Sequence, residues 1–411
     1  MFRNEKEVCK NGGEKSARGG FGATAIRVAG VFVVTLTVCA AFFSIWCAIA
    51  YAGVRAGLRA DGKEDNGEAE FYDEYGDEDS TAFASGKSSA ALMDVATGRL
   101  LYGVNEDVQL PMASTTKILT AIAVIESVPD LSQKIAIPKA AVGIEGSSIY
   151  LKEGEELSYK DLLYGLMLRS GNDCAVALAI SVSGSVEGFS ALMNAKAREY
   201  GATSSSFVNP HGLHADNHYT TARDLALITS HALKNTAFRE ISGTKSVRIP
   251  GTDGMRYLQN KNKMLWQFEG ANGVKTGYTH AAGRCLVSSA ERKGVTLVAV
   301  VLNRPDMWDA CKSMMETAFK KYSPHKLFDL TEPLTAEIEN AEFPRCFLSV
   351  PEAPVYLLTD EEKDNLRVVI ETRILSAPVV TGTEAGEIKV FIGNFLLYSE
   401  KLYIINDVDK D

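Results

Sequence analysis

The stretch Pro111-Met112-Ala113-Ser114-Thr115-Thr116-Lys117-Ile118-Leu119-Thr120-Ala121-Ile122-Ala123-Val124-Ile125 sets a serine and a lysine three residues apart at the head of an apolar run. On a helix, residues at that spacing share a face, so Ser114 and Lys117 come within side-chain reach. Ile118, Leu119, Ala121, Ile122, Val124 and Ile125 read as a buried helix that holds the pair rigidly. Ser114 then sits at the helix N-terminus, where unpaired N–H groups and the dipole favour developing negative charge. A serine hydroxyl is a poor nucleophile at neutral pH and needs an adjacent base. A lysine serves as that base only if its pKa is lowered, which burial and a neighbouring cation both achieve.

Two further short motifs follow downstream. Ser158-Tyr159-Lys160-Asp161 matches a capping box ahead of Leu162, Leu163, Leu166, Met167 and Leu168. Ser170-Gly171-Asn172 comes just beyond, with a second apolar helix expected from Cys174, so this motif occupies a turn between helices and can face a cleft. Gly273 to Thr279, Leu286 to Ala290 and Val295 to Leu302 read as a strand, hairpin and strand, with Lys275-Thr276-Gly277 on the first strand. Lys275 is the candidate second cation. In this order the three motifs read as the S-x-x-K, S-x-N and K-T-G elements of an active-site-serine, penicillin-recognising fold.

A length of 411 residues predicts two folded units plus accessory segments, and 46% hydrophobic residues suffice for a sizeable core. The net charge of −9, without a basic stripe, argues against a nucleic-acid partner. Residues 1–27 are polar and carry Arg3, Lys6, Lys10, Lys15, Arg18 and Arg27; residues 28–54 are almost wholly apolar and long enough to span a bilayer. Positive charge before the apolar stretch predicts a cytoplasmic tail, a signal anchor in the cytoplasmic membrane and an exported remainder. A cleaved signal peptide is the competitor, with Ala48-Ile49-Ala50 as an A-x-A site. Residues 55–85 hold ten acids between Asp61 and Asp79 with Lys63 as the only base there, the composition of an extended, flexible linker. Cys174, Cys285, Cys311 and Cys346 are far apart and flanked largely by apolar residues, the pattern of buried free thiols.

From Ser88 the pattern is mixed α/β. Ala90 to Val95 and Arg99 to Tyr102 form a hairpin, Thr221-Ala222-Arg223-Asp224 is a second capping box, and Met307 to Tyr322 is a helix closing the unit. After Ser323-Pro324, short apolar runs alternate with turns, as in a small all-β module. The expected division is a catalytic domain over 86–323 and a β domain over 324–411.

Pro111 to Lys117, Leu168 to Asp173, Phe207-Val208-Asn209-Pro210-His211-Gly212-Leu213 and His218 to Ala222 carry a wider likeness. On these residues, with the tail from Pro378 onward, the chain resembles serine D-alanyl-D-alanine carboxypeptidases, the low-molecular-mass penicillin-binding proteins. The resemblance implies an α/β catalytic domain of the serine β-lactamase/transpeptidase kind, an antiparallel sheet with a helical region, followed by a small all-β domain. It implies that Ser114 attacks the carbonyl between the last two D-alanines of a peptidoglycan stem peptide. Lys117 would take the serine proton, Ser170 would pass a proton to the leaving D-alanine, and Asn172 would bind the substrate amide. Lys275 would shape the field and Thr276 would hold the terminal carboxylate. Gly277 precedes Tyr278, whose backbone N–H would join that of Ser114 in an oxyanion hole. β-Lactams would acylate Ser114 and stay. No cofactor or metal is implied. Some relatives place a carboxylate-gripping arginine after the K-T-G strands, and Arg304 is the candidate here.

Three rival readings fit less well. His211, His214 and His218 with Asp216 lack the second cluster expected of a zinc hydrolase. A serine β-lactamase shares all three motifs, but no E-x-x-L-N segment lies between Asn172 and Lys275. A membrane-bound β-lactam sensor would need cytoplasmic signalling machinery larger than residues 1–27.

Overall fold

The computed structural model describes residues 4–7 and 87–410. The expected anchor (28–54), the acidic linker (55–85) and the rest of the N-terminal tail lie outside the described residues.

The sheet of the catalytic unit joins the first and last strands of that unit. Its members are β1 (Ser89–Asp94), β2 (Leu100–Val104), β3 (Ala271–Thr279), β4 (Gly283–Arg292) and β5 (Val295–Leu302). All neighbours are antiparallel and the spatial order is β2-β1-β5-β4-β3. β1 meets β5 with Ala91 opposite Val300 and Leu92 opposite Ala299. In β5 every residue from Leu297 to Leu302 is buried, so alternation gives way to a continuous apolar run, as in a strand covered on both faces. Helix α5 (Ala222–Lys234) packs on β1 and β5, and α6 (Met307–Lys321) packs on β5 and β4.

Helix α1 (Lys117–Ser127) runs through the core and touches α2 (Tyr159–Leu168), α3 (Asn172–Ser183), α4 (Val186–Glu199) and α5. Ile118, Leu119, Ile122 and Val124 are wholly buried, each a contribution of roughly 1.5–3 kcal/mol from apolar burial. The capping box ahead of α2 is formed: Ser158 Oγ accepts from the Asp161 N–H (3.0 Å) while the Asp161 carboxylate accepts from the Ser158 N–H (3.2 Å). Only half of the second expected box forms. Thr221 accepts from the Asp224 N–H, but the Asp224 carboxylate turns to the Ser204 N–H and Ser205 hydroxyl, both at 2.7 Å. Nearby orphan donors outcompete the cap there. Helix α3 also begins at Asn172, two residues earlier than the apolar pattern predicts.

The all-β character after α6 is as expected, with one short helix at Asp360–Asp364. Ser323–Lys326 pairs with Val355–Leu358, so strand structure starts as soon as α6 ends. The main sheet is an antiparallel run of β6 (Leu366–Thr372), β7 (Glu384–Ile392) and β8 (Phe395–Tyr403). Ile388 and Val390 of β7 and Leu402 of β8 are buried in one core with Ile338, Leu348 and Leu358. The N-terminal tail, expected to stand apart from the fold, contributes Asn4–Glu7 as an antiparallel strand on β6. β6 otherwise presents an edge of unpaired backbone groups, which any extended segment can satisfy. Arg99 ties the β unit to the catalytic sheet: it donates to the Leu357 carbonyl and pairs with Glu362. Within the catalytic unit, Tyr322 at the end of α6 donates to the Leu101 carbonyl (3.1 Å).

Among the described residues no single helix is long and apolar enough to cross a membrane. Cys174, Cys285, Cys311 and Cys346 are buried free thiols, and burial pushes the Cys285 thiol up to about 12.

Candidate active site

Ser114 lies on a 3₁₀ turn, Ala113–Thr116, and α1 starts only at Lys117. The sequence pattern puts Ser114 on the α-helix itself; local hydroxyls account for the difference. Thr115 donates to the Met112 carbonyl (2.6 Å) and Thr116 to the Ala113 carbonyl (2.8 Å), with Ala113 at a positive φ of 50°. Three residues per 3₁₀ turn bring positions 114 and 117 into line. Lys117 Nζ consequently lies 3.1 Å from Ser114 Oγ.

The turn is braced from behind by the loop that carries the histidines. His218 Nδ1 accepts from the Val208 N–H (3.1 Å), which leaves Nε2 protonated to donate to Thr116 Oγ1 (2.9 Å) in the neutral ring. Burial, first, holds the His218 pKa down at about 4 and that of His211 at about 3. Gly212 adopts φ +87°, and a Cβ there would overlap the Ala113 carbonyl, so only glycine lets this loop approach the serine turn.

Lys117 is fully buried and also donates to Asn172 Oδ1 (2.7 Å) and to the His211 carbonyl. Burial and then the charge of Lys275 drive its pKa well below the ordinary lysine value, with Lys261 adding to the effect. Lys275 is itself buried and donates to the Thr276 carbonyl (2.9 Å). Burial, then Lys261, lowers its pKa to about 7. A lysine held neutral beside a hydroxyl can accept that hydroxyl's proton.

Asn172 opens α3, its N–H donating to the Ser147 carbonyl (2.7 Å) and its side-chain amide to the Glu145 carbonyl. Asp173 fastens the same loop by accepting from Ser148 Oγ (2.6 Å) and the Leu151 N–H (3.1 Å). Ser170 takes a left-handed φ of 65° between α2 and α3. On the other side, β3 packs against the serine turn. A Cβ on Gly277 would lie 3.0 Å from both the Met112 oxygen and the Ser114 nitrogen, so its bare backbone permits that approach.

Between these walls lies a cleft of about 340 Å³ lined by Ser114, Ser147, Ser170, Lys261, Thr276, Gly277, Tyr278, Arg284, Met307 and Trp308. The structure thus brings Ser114, Ser170, Thr276, Gly277 and Tyr278 to one surface, and Lys117, Asn172 and Lys275 are buried behind it. Arg304 is not on that surface; it is bound to Asp306 by two contacts of 2.8 Å. Sequence reasoning missed Ser147, Lys261, Arg284 and Trp308. Lys261 has no local signal, because its place depends on its N–H donating to the Leu168 carbonyl (3.2 Å) far upstream.

A serine–lysine pair at the head of a buried helix, facing a K-T-G edge strand, defines an active-site-serine hydrolase of the penicillin-recognising fold. The family model for D-alanyl-D-alanine carboxypeptidase, Peptidase_S11, matches residues 78–306, and the chain belongs to this family. It is 34% identical over 310 residues to the D-alanyl-D-alanine carboxypeptidase DacF of Bacillus subtilis, covering 72% of this chain and 79% of that one. Among solved structures, it is similar to penicillin binding protein 5 from Haemophilus influenzae, with TM-score 0.68, 25% identity, and coverage of 80% of this chain and 100% of that one. The D-alanyl-D-alanine carboxypeptidase DacD from Francisella tularensis gives TM-score 0.63 and 26% identity over 80% of this chain and 95% of its own.

Proposed function

We propose that this enzyme removes the terminal D-alanine from peptidoglycan stem peptides through an acyl-enzyme on Ser114. The observation that carries this reading is the 3.1 Å contact between Ser114 Oγ and a fully buried Lys117. Neutral Lys117 takes the serine proton as Oγ attacks the penultimate D-alanine carbonyl. The N–H groups of Ser114 and Tyr278 receive the oxyanion, each such donor being worth roughly 3–4 kcal/mol of barrier. Ser170 relays a proton to the departing amine, Asn172 orients Lys117 and the substrate amide, and Thr276 binds at the carboxylate end. Water then opens the ester with Lys117 again as base. β-Lactams enter by the same attack and remain on Ser114.

The test is D-alanine release from a diacetyl-lysyl-D-Ala-D-Ala peptide together with fluorescent penicillin labelling. Ser114→Ala loses both; labelling that survives in the variant overturns the assignment.

Residues 28–54 hold the enzyme on the outer side of the cytoplasmic membrane, a reading supported by the length and apolarity of that stretch. A bilayer between residues 1–27 and the β unit is incompatible with Asn4–Glu7 pairing on β6. Fractionation decides between them: the full chain stays with membranes through an alkaline carbonate wash if anchored, and its release into the soluble fraction refutes the anchor.

A further inference from the structure

A second cavity, of about 420 Å³, lies at the far ends of the helices that serve the cleft. α1 starts at Lys117 and ends in the cavity at Ser127, and α3 starts at Asn172 and ends in it at Ser183. α2 runs the other way, from Tyr159 in the cavity towards Ser170. Helices of 11 and 12 residues are about 16–18 Å long, so this site is separate from the reacting groups. It is larger than the cleft and falls within the roughly 300–1,000 Å³ of small-ligand sites.

The lining defines the ligand. Among the described residues that form it, none is charged. The last turns of α1 and α3 present backbone carbonyls and a partial negative charge, which repels anions. The positive end of α2 does not offset them. Its capping box is closed, and the N–H groups of Tyr159 and Lys160 donate to the Gln133 (3.1 Å) and Leu131 (2.9 Å) carbonyls. Ser127 Oγ donates to the Ala123 carbonyl (2.7 Å) and so faces a ligand as an acceptor. The Tyr159 and Ser181 hydroxyls share one hydrogen bond (2.6 Å), which leaves one O–H to give. Gln133 is exposed and offers a side-chain amide, while Val128, Pro129 and Leu192 supply apolar wall. An uncharged, acceptor-rich cavity with one amide and an apolar side suits a ring that carries several hydroxyls and an amide of its own.

We propose that this cavity binds a neutral N-acetylhexosamine unit of a glycan chain. Ring hydroxyls donate to the helix-end carbonyls and to Ser127, the acetamido group pairs with Gln133, and its methyl group lies on the apolar wall. The binding chemistry is independent of the serine reaction. That the glycan belongs to the polymer bearing the stem peptide rests on the reaction proposed above.

The experiment titrates full-length enzyme in detergent micelles with chitotetraose, a neutral probe built of N-acetylglucosamine, in a calorimeter. It is run with Ser114 free and with Ser114 acylated by benzylpenicillin. Binding is expected in both states, since the cavity lies away from the cleft. Ser183→Trp, which fills the cavity, is expected to weaken binding at least about tenfold, and Gln133→Ala, at an exposed position, about three- to tenfold. Cellotetraose, with the same linkage and no acetamido groups, binds more weakly than chitotetraose. Both variants keep the penicillin acylation rate of the unaltered enzyme, which also shows that they are folded. Absent binding, binding lost on acylation of Ser114, equal binding of the two sugars, or binding indifferent to both substitutions overturns the proposal. An enzyme that binds the sugar without releasing D-alanine keeps this site and loses the reaction. One that releases D-alanine without binding the sugar loses the site alone.

Discussion

Lysine is used in opposite ways in the two parts of this chain. Behind the cleft, Lys117 and Lys275 are wholly buried with no carboxylate partner among the described residues, and burial lowers both pKa values. In the β unit, Lys389 donates to Glu371 (3.0 Å) with Glu387 at 3.3 Å, and the Glu371 bond raises its pKa. The first arrangement spends stability to keep an amine ready as a base; the second retains the charge and supports the sheet. The contrast is sharpest where the charge is forced to persist. Lys117→Arg keeps a cation that does not deprotonate in proteins. Acylation by β-lactam is expected to fall at least roughly 10²-fold, the low end for loss of a general base. Near-native acylation by this variant would erase the distinction between the two kinds of lysine.

The next test concerns placement. Gly277 allows β3 to lie against the serine turn, and a methyl there must push either strand or turn by a few tenths of an ångström. Misplacement by 1 Å costs about 10²-fold in rate, so Gly277→Ala is expected to slow acylation roughly 5–10-fold. Stopped-flow acylation reads it, and an unchanged rate would show that the close approach has no bearing on the chemistry.

A smaller effect distinguishes the lysines by pH. Lys275 has a folded pKa of about 7 against an ordinary value of 10.5. Between those values the unfolded chain binds more protons than the native one, so this group makes stability rise with pH and adds no slope below the window. Lys389 behaves oppositely: its raised pKa gives stability that is complete below 10.5 and is lost as pH rises through the folded value. Urea unfolding at about pH 7 and about pH 10, near the two ends of that window, is expected to show a positive slope, shared with the likewise lowered Lys117, that Lys275→Met reduces. An unaltered slope in that variant would mean that Lys275 is charged in the native protein.

Legibility followed the same division between local and distant causes. The pairing of Ser114 with Lys117 and the turn at Ser170-Gly171-Asn172 depend on spacing within one or two helical turns, so the sequence carries them. Arg284 was within reach as well: the turn between β3 and β4 places it opposite Tyr278, and counting back through the hairpin finds it. Lys261 was not, because nothing near it in sequence announces the Leu168 carbonyl that seats it. The half-made cap at Asp224 failed for a related reason, since its competing donors on Ser204 and Ser205 come from a loop about 20 residues earlier.

The smallest expected effect lies in the β unit. Lys389 is one-fifth exposed and sits between two carboxylates of the sheet. Pairs open to solvent contribute about 0.2–1 kcal/mol, because water screens the attraction and ordering the side chain costs entropy. Lys389→Ala is therefore expected to lower unfolding free energy by no more than about 1 kcal/mol, with β-lactam acylation unchanged. Calorimetry and acylation rate together check it. A rate loss comparable to that of a cleft substitution would mean that the β unit reaches the chemistry through Arg99, which ties it to the turn before β2. Substituting Arg99 would then reproduce the loss.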